Sequence, residues 1–289
     1  MRGSVRLAVV STGAGKMGNN LTMLKLLKSK QFKPGSVIII TGATSGVGKE
    51  VAFRYAERKS SLVLSGRNAE ELTRTKTRCE SLGAKVITVQ SDVTREEDCK
   101  RVVDACMEHF GRIDILFLSA GVTAYSLFDQ VNDLKMYDDI MKTNFFGYLN
   151  MTKLSLPHLK RSHGQIAVMS SMSGELGLPY RSAYCASKFA VTGFFEALRL
   201  EVGHQVDITL ICPPSINTNL RDNSIMKATS GEEEMETSLE LGSAVDVILD
   251  VVDRKARKVY FPFKMYFAVY FRPFFPDQVD NRIKRRSKL

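Results

Sequence analysis

The segment Ser36-Val-Ile-Ile-Ile-Thr-Gly42 limits the folds open to this chain more than any other. It is a short β-branched run that closes on a glycine, passes two further glycines at 46 and 48, and leads into an amphipathic stretch from Lys49 to Arg58. That order predicts a strand, a tight turn and a helix. Further strands are expected at Ser61 to Ser65, Lys85 to Val89, Ile113 to Leu118, Gln165 to Ser170, Asp207 to Ile211 and Lys258 to Phe261. Helical patterns fill the gaps, at Ala69 to Leu82, Glu96 to Phe110, Leu134 to Leu159, Tyr184 to Val202 and Gly242 to Asp253. Strands alternating with helices imply a parallel sheet covered on both faces, with ligands bound at the carboxyl ends of the strands. One continuous α/β pattern argues for a single domain, amply large to bury a core.

Glycines at 42, 46 and 48 are expected to let the backbone approach a pyrophosphate, whose charge the helix N-terminus would meet. A second cluster, Gly13-Ala-Gly15-Lys-Met-Gly18 after Leu7-Ala-Val-Val10, fits the dinucleotide spacing better still. The next strand after it is Val37 to Thr41, which carries its own phosphate loop instead of an acidic ribose ligand, so the first cluster reads as a decoy. Nor is it a nucleotide-triphosphate loop: Lys16 is followed by Met17, and no glycine stands five residues before Gly15.

Tyr184-Cys-Ala-Ser-Lys188, with Ser171 thirteen residues upstream, carries the chemistry. In a helix that opens near Tyr184, Lys188 lies one turn on and shares its face. A tyrosine titrates near pH ~10, so proton transfer near neutrality calls for a neighbouring positive charge that favours phenolate. Lys188 can supply it. Tyr-x-x-x-Lys pairs are common on surface helices, so the accompanying residues decide.

Those residues occur in order. Thr41 to Gly48, Asp92-Val93, Asn144, Ser171, Tyr184 and Lys188, followed by Pro213-Pro214-Ser-Ile-Asn-Thr218, resemble the motifs of the short-chain dehydrogenase/reductase family over roughly residues 36 to 255. The resemblance implies a doubly wound (Rossmann) parallel sheet and a catalytic tetrad of Asn144, Ser171, Tyr184 and Lys188. It further implies cofactor contacts from Gly42, Thr44, Ser45, Gly46, Val47 and Gly48, from Arg67, from Asp92 and Val93, and from Ala120 and Gly121. Tyr184, Lys188, Pro213, Ile216 and Thr218 complete that implied set, and no metal is expected. In this family Ser and Tyr hold the substrate oxygen, Tyr moves a proton, Lys holds the cofactor ribose and lowers the Tyr pKa, and Asn anchors a water that links Lys to solvent. Ser170, Ser173 and Tyr180 are alternatives that the family spacing rejects. Two departures stand out: Leu118-Ser119-Ala120-Gly121 replaces Asn-Asn-Ala-Gly, and Pro214 replaces a glycine. A catalytically idle, nucleotide-binding scaffold is the competing class, and the four filled catalytic positions favour an enzyme that interconverts a ketone and a secondary alcohol.

Cofactor choice turns on Gly66-Arg67 at the end of the second strand. An NAD enzyme usually places a carboxylate there, whereas a 2′-phosphate needs the carboxylate absent and a cation nearby. Gly66 leaves space and Arg67 offers a planar fork, which favours NADP(H) over NAD(H).

The formal net charge of +10 comes from the ends. Residues 1–49 hold eight Lys/Arg and no acid, residues 254–289 hold eleven against two acids, and the middle carries 22 bases against 29 acids. An acidic core without a nucleic-acid motif excludes nucleic acid, and basic ends suit an anionic membrane surface. Nine of 25 aromatics fall between Val259 and Phe275, and Phe263, Tyr266, Phe267, Tyr270, Phe271 and Phe274 recur at helical spacing, with Pro262 at the first position. An aromatic helix too brief to span a bilayer suits its interface; a lid over the substrate pocket or a homodimer contact is the other use. In this feature the chain resembles the membrane-associated branch containing 11β-hydroxysteroid dehydrogenase and lipid-ketone reductases, which implies a lipophilic small-molecule substrate such as a steroid, a retinoid or a long-chain lipid ketone. The chain therefore divides into a basic extension (1–35), a catalytic domain (36–255) and a membrane-associating tail (256–289). Five cysteines without zinc or Cys-x-x-Cys spacing suit a reducing compartment. Ser287-Lys288-Leu289 reads as a peroxisomal address, against a mitochondrial reading of the basic stretch with Arg2, Arg6 and Leu21 to Lys33, or an endoplasmic reticulum or lipid-droplet surface.

Overall fold

The computed structural model describes residues 8–9, 32–218, 220, 224–225 and 238–286. The decoy glycines at 13, 15 and 18, the basic stretch 21–31 and the terminal tripeptide 287–289 lie outside them. Among the described residues eight parallel strands form one sheet: β1 (Ala8–Val9), β2 (Val37–Thr41), β3 (Ser61–Gly66), β4 (Lys85–Gln90), β5 (Ile115–Leu118), β6 (Gln165–Met169), β7 (Asp207–Cys212) and β8 (Lys258–Tyr260). Their order is β1-β8-β7-β6-β5-β2-β3-β4. The chain winds outward from β2 to β4, then crosses to β5 and winds the other way. The switch point, where a doubly wound sheet opens a crevice beyond its strand ends, therefore falls between β2 and β5.

The interior of the sheet follows from the period-two geometry of a strand. Ile38 and Ile40 of β2, with Leu62 and Leu64 of β3, face helices α1 (Gly46–Glu57) and α7 (Leu241–Asp253). Val37, Ile39 and Val63 face the opposite layer of α3 (Glu96–Phe110), α5 (Gly147–Ser162) and α6 (Ser182–Val202). Each such side chain, fully buried, contributes about 1.5–3 kcal/mol, which is why β2 tolerates no polar residue between Val37 and Ile40. Helix α2 (Ala69–Ser81) is capped by Asn68, whose Oδ1 accepts from the Glu71 N–H at 3.0 Å.

The region read as one helix from Leu134 to Leu159 is three pieces: α4 (Lys135–Met141), a π-turn at Lys142–Phe146, and α5. An inserted π-residue leaves the apolar periodicity almost intact, so the sequence conceals it. Ala8–Val9 of the expected N-terminal extension pairs with Val259–Tyr260 of the expected tail, so both segments add to one edge of the sheet. That placement leaves four strands between β1 and β2, whose end carries the glycine turn. The tail helix α8 spans Lys264–Phe271, two residues later than Pro262 predicts, and a further polar helix, α9 (Pro276–Arg286), follows it.

Candidate active site

A cavity of about 1050 Å³ opens at the carboxyl ends of β2 to β7, over the switch point. Its floor is the turn after β2. Gly42 adopts φ +67°, and a Cβ there would meet the Ala120 backbone at 2.9 Å, so only glycine permits this approach. Gly46 opens α1 with φ +49°, and Ser45 makes no cap bond with that helix, whose first turn carries no acid. The exposed N–H groups and positive helix end are thus available to a phosphate. Gly48 is absent from the cavity wall, and a Cβ there would collide with the Gly42 carbonyl, so its bareness lets α1 pack on the turn. The buried Thr41 hydroxyl accepts from the N–H groups of Ser119 and Ala120 at 3.1 and 3.2 Å. It clamps the ends of β2 and β5 through backbone, so the replacement of two asparagines by Leu118 and Ser119 leaves the clamp intact.

Thr44, Ser45, Val47, Arg67, Asp92, Val93, Ala120, Gly121, Pro213, Ile216 and Thr218 all reach the wall. Gly66 is required by its neighbour, since a Cβ would come within 2.6 Å of Thr44 Cγ2. Arg67 is exposed and has no carboxylate partner among the described residues, whereas nearby Lys49 is consumed by Glu71 at 2.8 Å. Asp92 turns one carboxylate oxygen to the Thr94 N–H at 2.9 Å. These features fit a dinucleotide whose pyrophosphate lies on the glycine turn and whose adenosine end lies beside β3 and β4.

At the other end stand Ser171, Tyr184 and Lys188. Ser171 follows β6 and caps a short 3-10 turn, its Oγ accepting from the Ser173 N–H at 3.1 Å. Tyr184 lies in the first turn of α6, two residues inside its start, and is 7% exposed. Burial pushes its phenol up to about 12, against the pull of the Arg181 charge and of a hydrogen bond with Ser171. Lys188, 4% exposed, donates from Nζ to the Met169 carbonyl at 2.8 Å and lies 5.3 and 5.7 Å from the ring centroids of Tyr148 and Tyr184. Burial lowers its own pKa to about 8. The sequence assigns the depression of the tyrosine pKa to Lys188. Burial is the larger influence here, and the cation that pulls hardest on the phenol is Arg181.

Asn144 is fully buried on the π-turn and does not reach the cavity wall. Its Oδ1 accepts from the Val122 N–H at 2.8 Å, while Nδ2 donates to the Val122 carbonyl at 2.9 Å and to Ser187 Oγ at 3.0 Å. Both amide hydrogens are taken, so the side chain braces the β5 loop against α6, and a water would be held through an acceptor of Asn144 rather than through its amide hydrogens. Pro213 is buried and Pro214 half-buried on the wall. Cys185 is buried with its thiol pKa raised, which marks it as inert.

Sequence reasoning missed Arg181, Tyr125 and Thr123, which line the same end. The only signal was an arginine three residues before the tyrosine, which reads as a solvated helix start. The aromatic tail is split between two environments. Tyr266 is buried against Met172, Leu176, Cys212 and Tyr260, while Phe267 and Phe274 are 52% and 78% exposed.

Comparison with known proteins agrees with this geometry. Residues 36–228 match the family model described as short chain dehydrogenase. Similar relatives are "11-beta-hydroxysteroid dehydrogenase A" of Sesamum indicum, 41% identical over 67% of this chain and 56% of that one, and "11-beta-hydroxysteroid dehydrogenase 1A" of Arabidopsis thaliana, 40% identical over 70% and 57%. The "11-beta-hydroxysteroid dehydrogenase" of Pinus massoniana is 36% identical over 85% of this chain and 72% of its own length. The chain thus spans little more than half the length of the sesame and Arabidopsis relatives. Among solved structures, a short chain dehydrogenase/reductase from Burkholderia phymatum in complex with NAD superposes with a TM-score of 0.77 at 23% identity, covering 86% of this chain and 96% of that one. An alcohol dehydrogenase from Thermococcus sibiricus complexed with 5-hydroxy-NADP gives 0.71 at 20%, covering 78% and 95%. Sheet order, glycine turn and sequence match together make this chain a member of the short-chain dehydrogenase family.

Proposed function

We propose that the protein is an NADP(H)-dependent oxidoreductase that interconverts a ketone and a secondary alcohol on a lipophilic substrate. The observation that carries this reading is the convergence of Ser171, Tyr184 and Lys188 on one end of a cavity whose other end is the glycine turn. Gly42, Ser45 and Gly46 would hold the pyrophosphate, Asp92 and Val93 the base, Lys188 the ribose, and Ile216 and Thr218 the nicotinamide end. When bound, the nicotinamide supplies the hydride to the carbonyl carbon or takes it back.

The chain's own residues manage the oxygen. Ser171 and Tyr184 donate hydrogen bonds to the carbonyl oxygen, and Tyr184 releases its phenolic proton to that oxygen as negative charge builds there. A phenol held above its usual range is protonated at the start, which suits the reducing direction. The Lys188 ammonium, fixed by the Met169 carbonyl, then stabilises the phenolate left behind. Asn144 keeps the two walls of the pocket in register. Arg67 without a carboxylate rival supports the 2′-phosphorylated cofactor, and the names of the curated relatives support a hydroxysteroid-like secondary alcohol as one member of the substrate class.

The tail supports contact with an anionic bilayer surface. Phe267, Tyr270, Phe271, Phe274 and Phe275 are all exposed beside the exposed Arg282, Lys284 and Arg285 of α9. No helix among the described residues is long and apolar enough to cross a membrane. Because Tyr266 packs on Met172, next to Ser171, this contact would set the substrate end of the cavity near the lipid.

Replacing Tyr184 with Phe keeps the ring and removes the proton. Steady-state turnover with NADPH against steroid, retinoid and long-chain ketones should fall at least ~100-fold, with cofactor affinity nearly kept. Wild-type turnover by the Phe variant would refute the assignment.

A further inference from the structure

The substrate end of the cavity holds a cation that the proton-transfer chemistry does not use for binding. Arg181 immediately precedes α6 and lines the cavity together with Tyr184 and Ser171. Its guanidinium is held in place. Nη2 donates to the Tyr125 hydroxyl at 2.6 Å, and the guanidinium carbon lies 4.5 Å from the Tyr125 ring centroid. Tyr125 is itself buried, and the backbone on either side is tied down by Ser126 N–H to the Tyr180 carbonyl at 2.9 Å and by Cys185 N–H to the Arg181 carbonyl at 2.7 Å. A guanidinium has five donors in a rigid fork, and Tyr125 occupies one of them.

Among the described residues no carboxylate neutralises this charge. Arg181 forms no ion pair among the described residues. Among the described residues only two carboxylates line the cavity, Glu71 and Asp92, and both lie at the β3–β4 end. Glu71 is engaged by Lys49 and Arg74, and Asp92 by the Thr94 N–H. The other cation at this end, Lys188, is already turned to the Met169 carbonyl. A half-buried, pre-positioned guanidinium without a counter-ion is unfavourable by itself and becomes favourable when an oxyanion takes its free edge. The neighbouring wall is apolar at Val122, Pro214 and Leu220.

We infer that Arg181 is a specificity-determining residue that binds an oxyanion on the substrate, so that the preferred ketones are anionic amphiphiles. An apolar body would lie along the wall while a carboxylate, or a phosphate of the same chemistry, sits on the guanidinium. The inference rests on the ketone–alcohol reading above and narrows its substrate class.

The test uses an oxo-octadecanoate and its methyl ester, two probes that share the ketone and differ in the charge. Calorimetry on NADP+-loaded protein measures binding without turnover, since probe and cofactor are both oxidised. The acid should bind about 10- to 100-fold more tightly than the ester. Arg181→Gln should abolish the difference by weakening the acid alone, and Arg181→Lys, which keeps the charge and loses the fork, should fall between. Equal affinity for acid and ester in the wild-type protein overturns the inference without recourse to any variant. So does an Arg181→Gln protein, folded by thermal melting, that loses both probes alike. Turnover with NADPH separates the two readings: an acid preference in binding with no reduction of either probe sinks the reductase and leaves the oxyanion site, while equal reduction and binding of both sinks the oxyanion site and leaves the reductase.

Discussion

Lys188 is expected to cost the protein stability in exchange for its role, and the cost can be sized. The ammonium is 4% exposed, and burial lowers its pKa from 10.5 to about 8. That difference corresponds to about 3 kcal/mol of preference for the neutral form. The sign follows from the protons bound. Below pH 8 both folded and unfolded chains carry the proton, and the full penalty is present. Between about 8 and 10.5 the folded chain loses it first, so the unfolded state binds more protons and stability rises with pH. Replacing Lys188 with Met fills a similar volume without charge. It removes the hydrogen bond to the Met169 carbonyl, worth about 1 kcal/mol, but that carbonyl keeps the Tyr148 hydroxyl as a donor at 3.3 Å. The Met variant should therefore be more stable than wild type by about 2 kcal/mol at pH 7, an advantage that is lost by about pH 10, while turnover falls at least ~100-fold. Urea unfolding at both pH values, alongside NADPH oxidation, measures all three. A Met variant less stable at pH 7, or an advantage that does not shrink on raising the pH, would refute the argument that burial governs this lysine.

Two further outcomes are expected. NADPH should bind more tightly than NADH, and Arg67→Ala should erase about 1 to 3 kcal/mol of that preference, read by fluorescence titration; equal affinity for both cofactors in the intact protein removes the case for NADP(H). Phe267→Ser with Phe271→Ser should release the protein from anionic liposomes in a flotation assay while activity on a small water-soluble ketone is largely kept, since both rings lie on the exposed side of α8; indifference of the wild-type protein to such vesicles ends the membrane reading.

Most of the fold was legible because its signals are local. The β-branched run before Gly42, the glycine spacing and the alternation of periods two and 3.6 each depend on neighbouring residues, and α3 falls on Glu96–Phe110 as expected. What the sequence hid depends on distant partners. Nothing near Gly48 in sequence reveals that a Cβ there would collide with the Gly42 carbonyl. Nor does anything near Asn144 show that its amide braces Val122 and Ser187, 22 residues before it and 43 after. Arg181 looks like solvated surface because nothing near it in sequence reveals that Tyr125 holds it over the cavity. The even aromatic spacing of the tail concealed a division that only the docking of Tyr266 onto Tyr260 creates.

Glu175 ends the short turn that begins at Ser171, and its carboxylate accepts from the Tyr260 hydroxyl at 2.9 Å while pairing with Lys258 at 2.7 Å. Tyr260 in turn meets Tyr266 edge-on, with centroids 4.8 Å apart. Serine turn, last long-range strand and tail anchor are thus one mechanical linkage with a shared carboxylate as its pivot. Reciprocity then applies: whatever free energy a docked tail lends to the ordering of that turn, a molecule clamped against Ser171 returns to the docking of the tail. A surface that seats the aromatic helix would in this way set how firmly the reaction centre is assembled, and an occupied reaction centre would set how long the protein dwells on that surface.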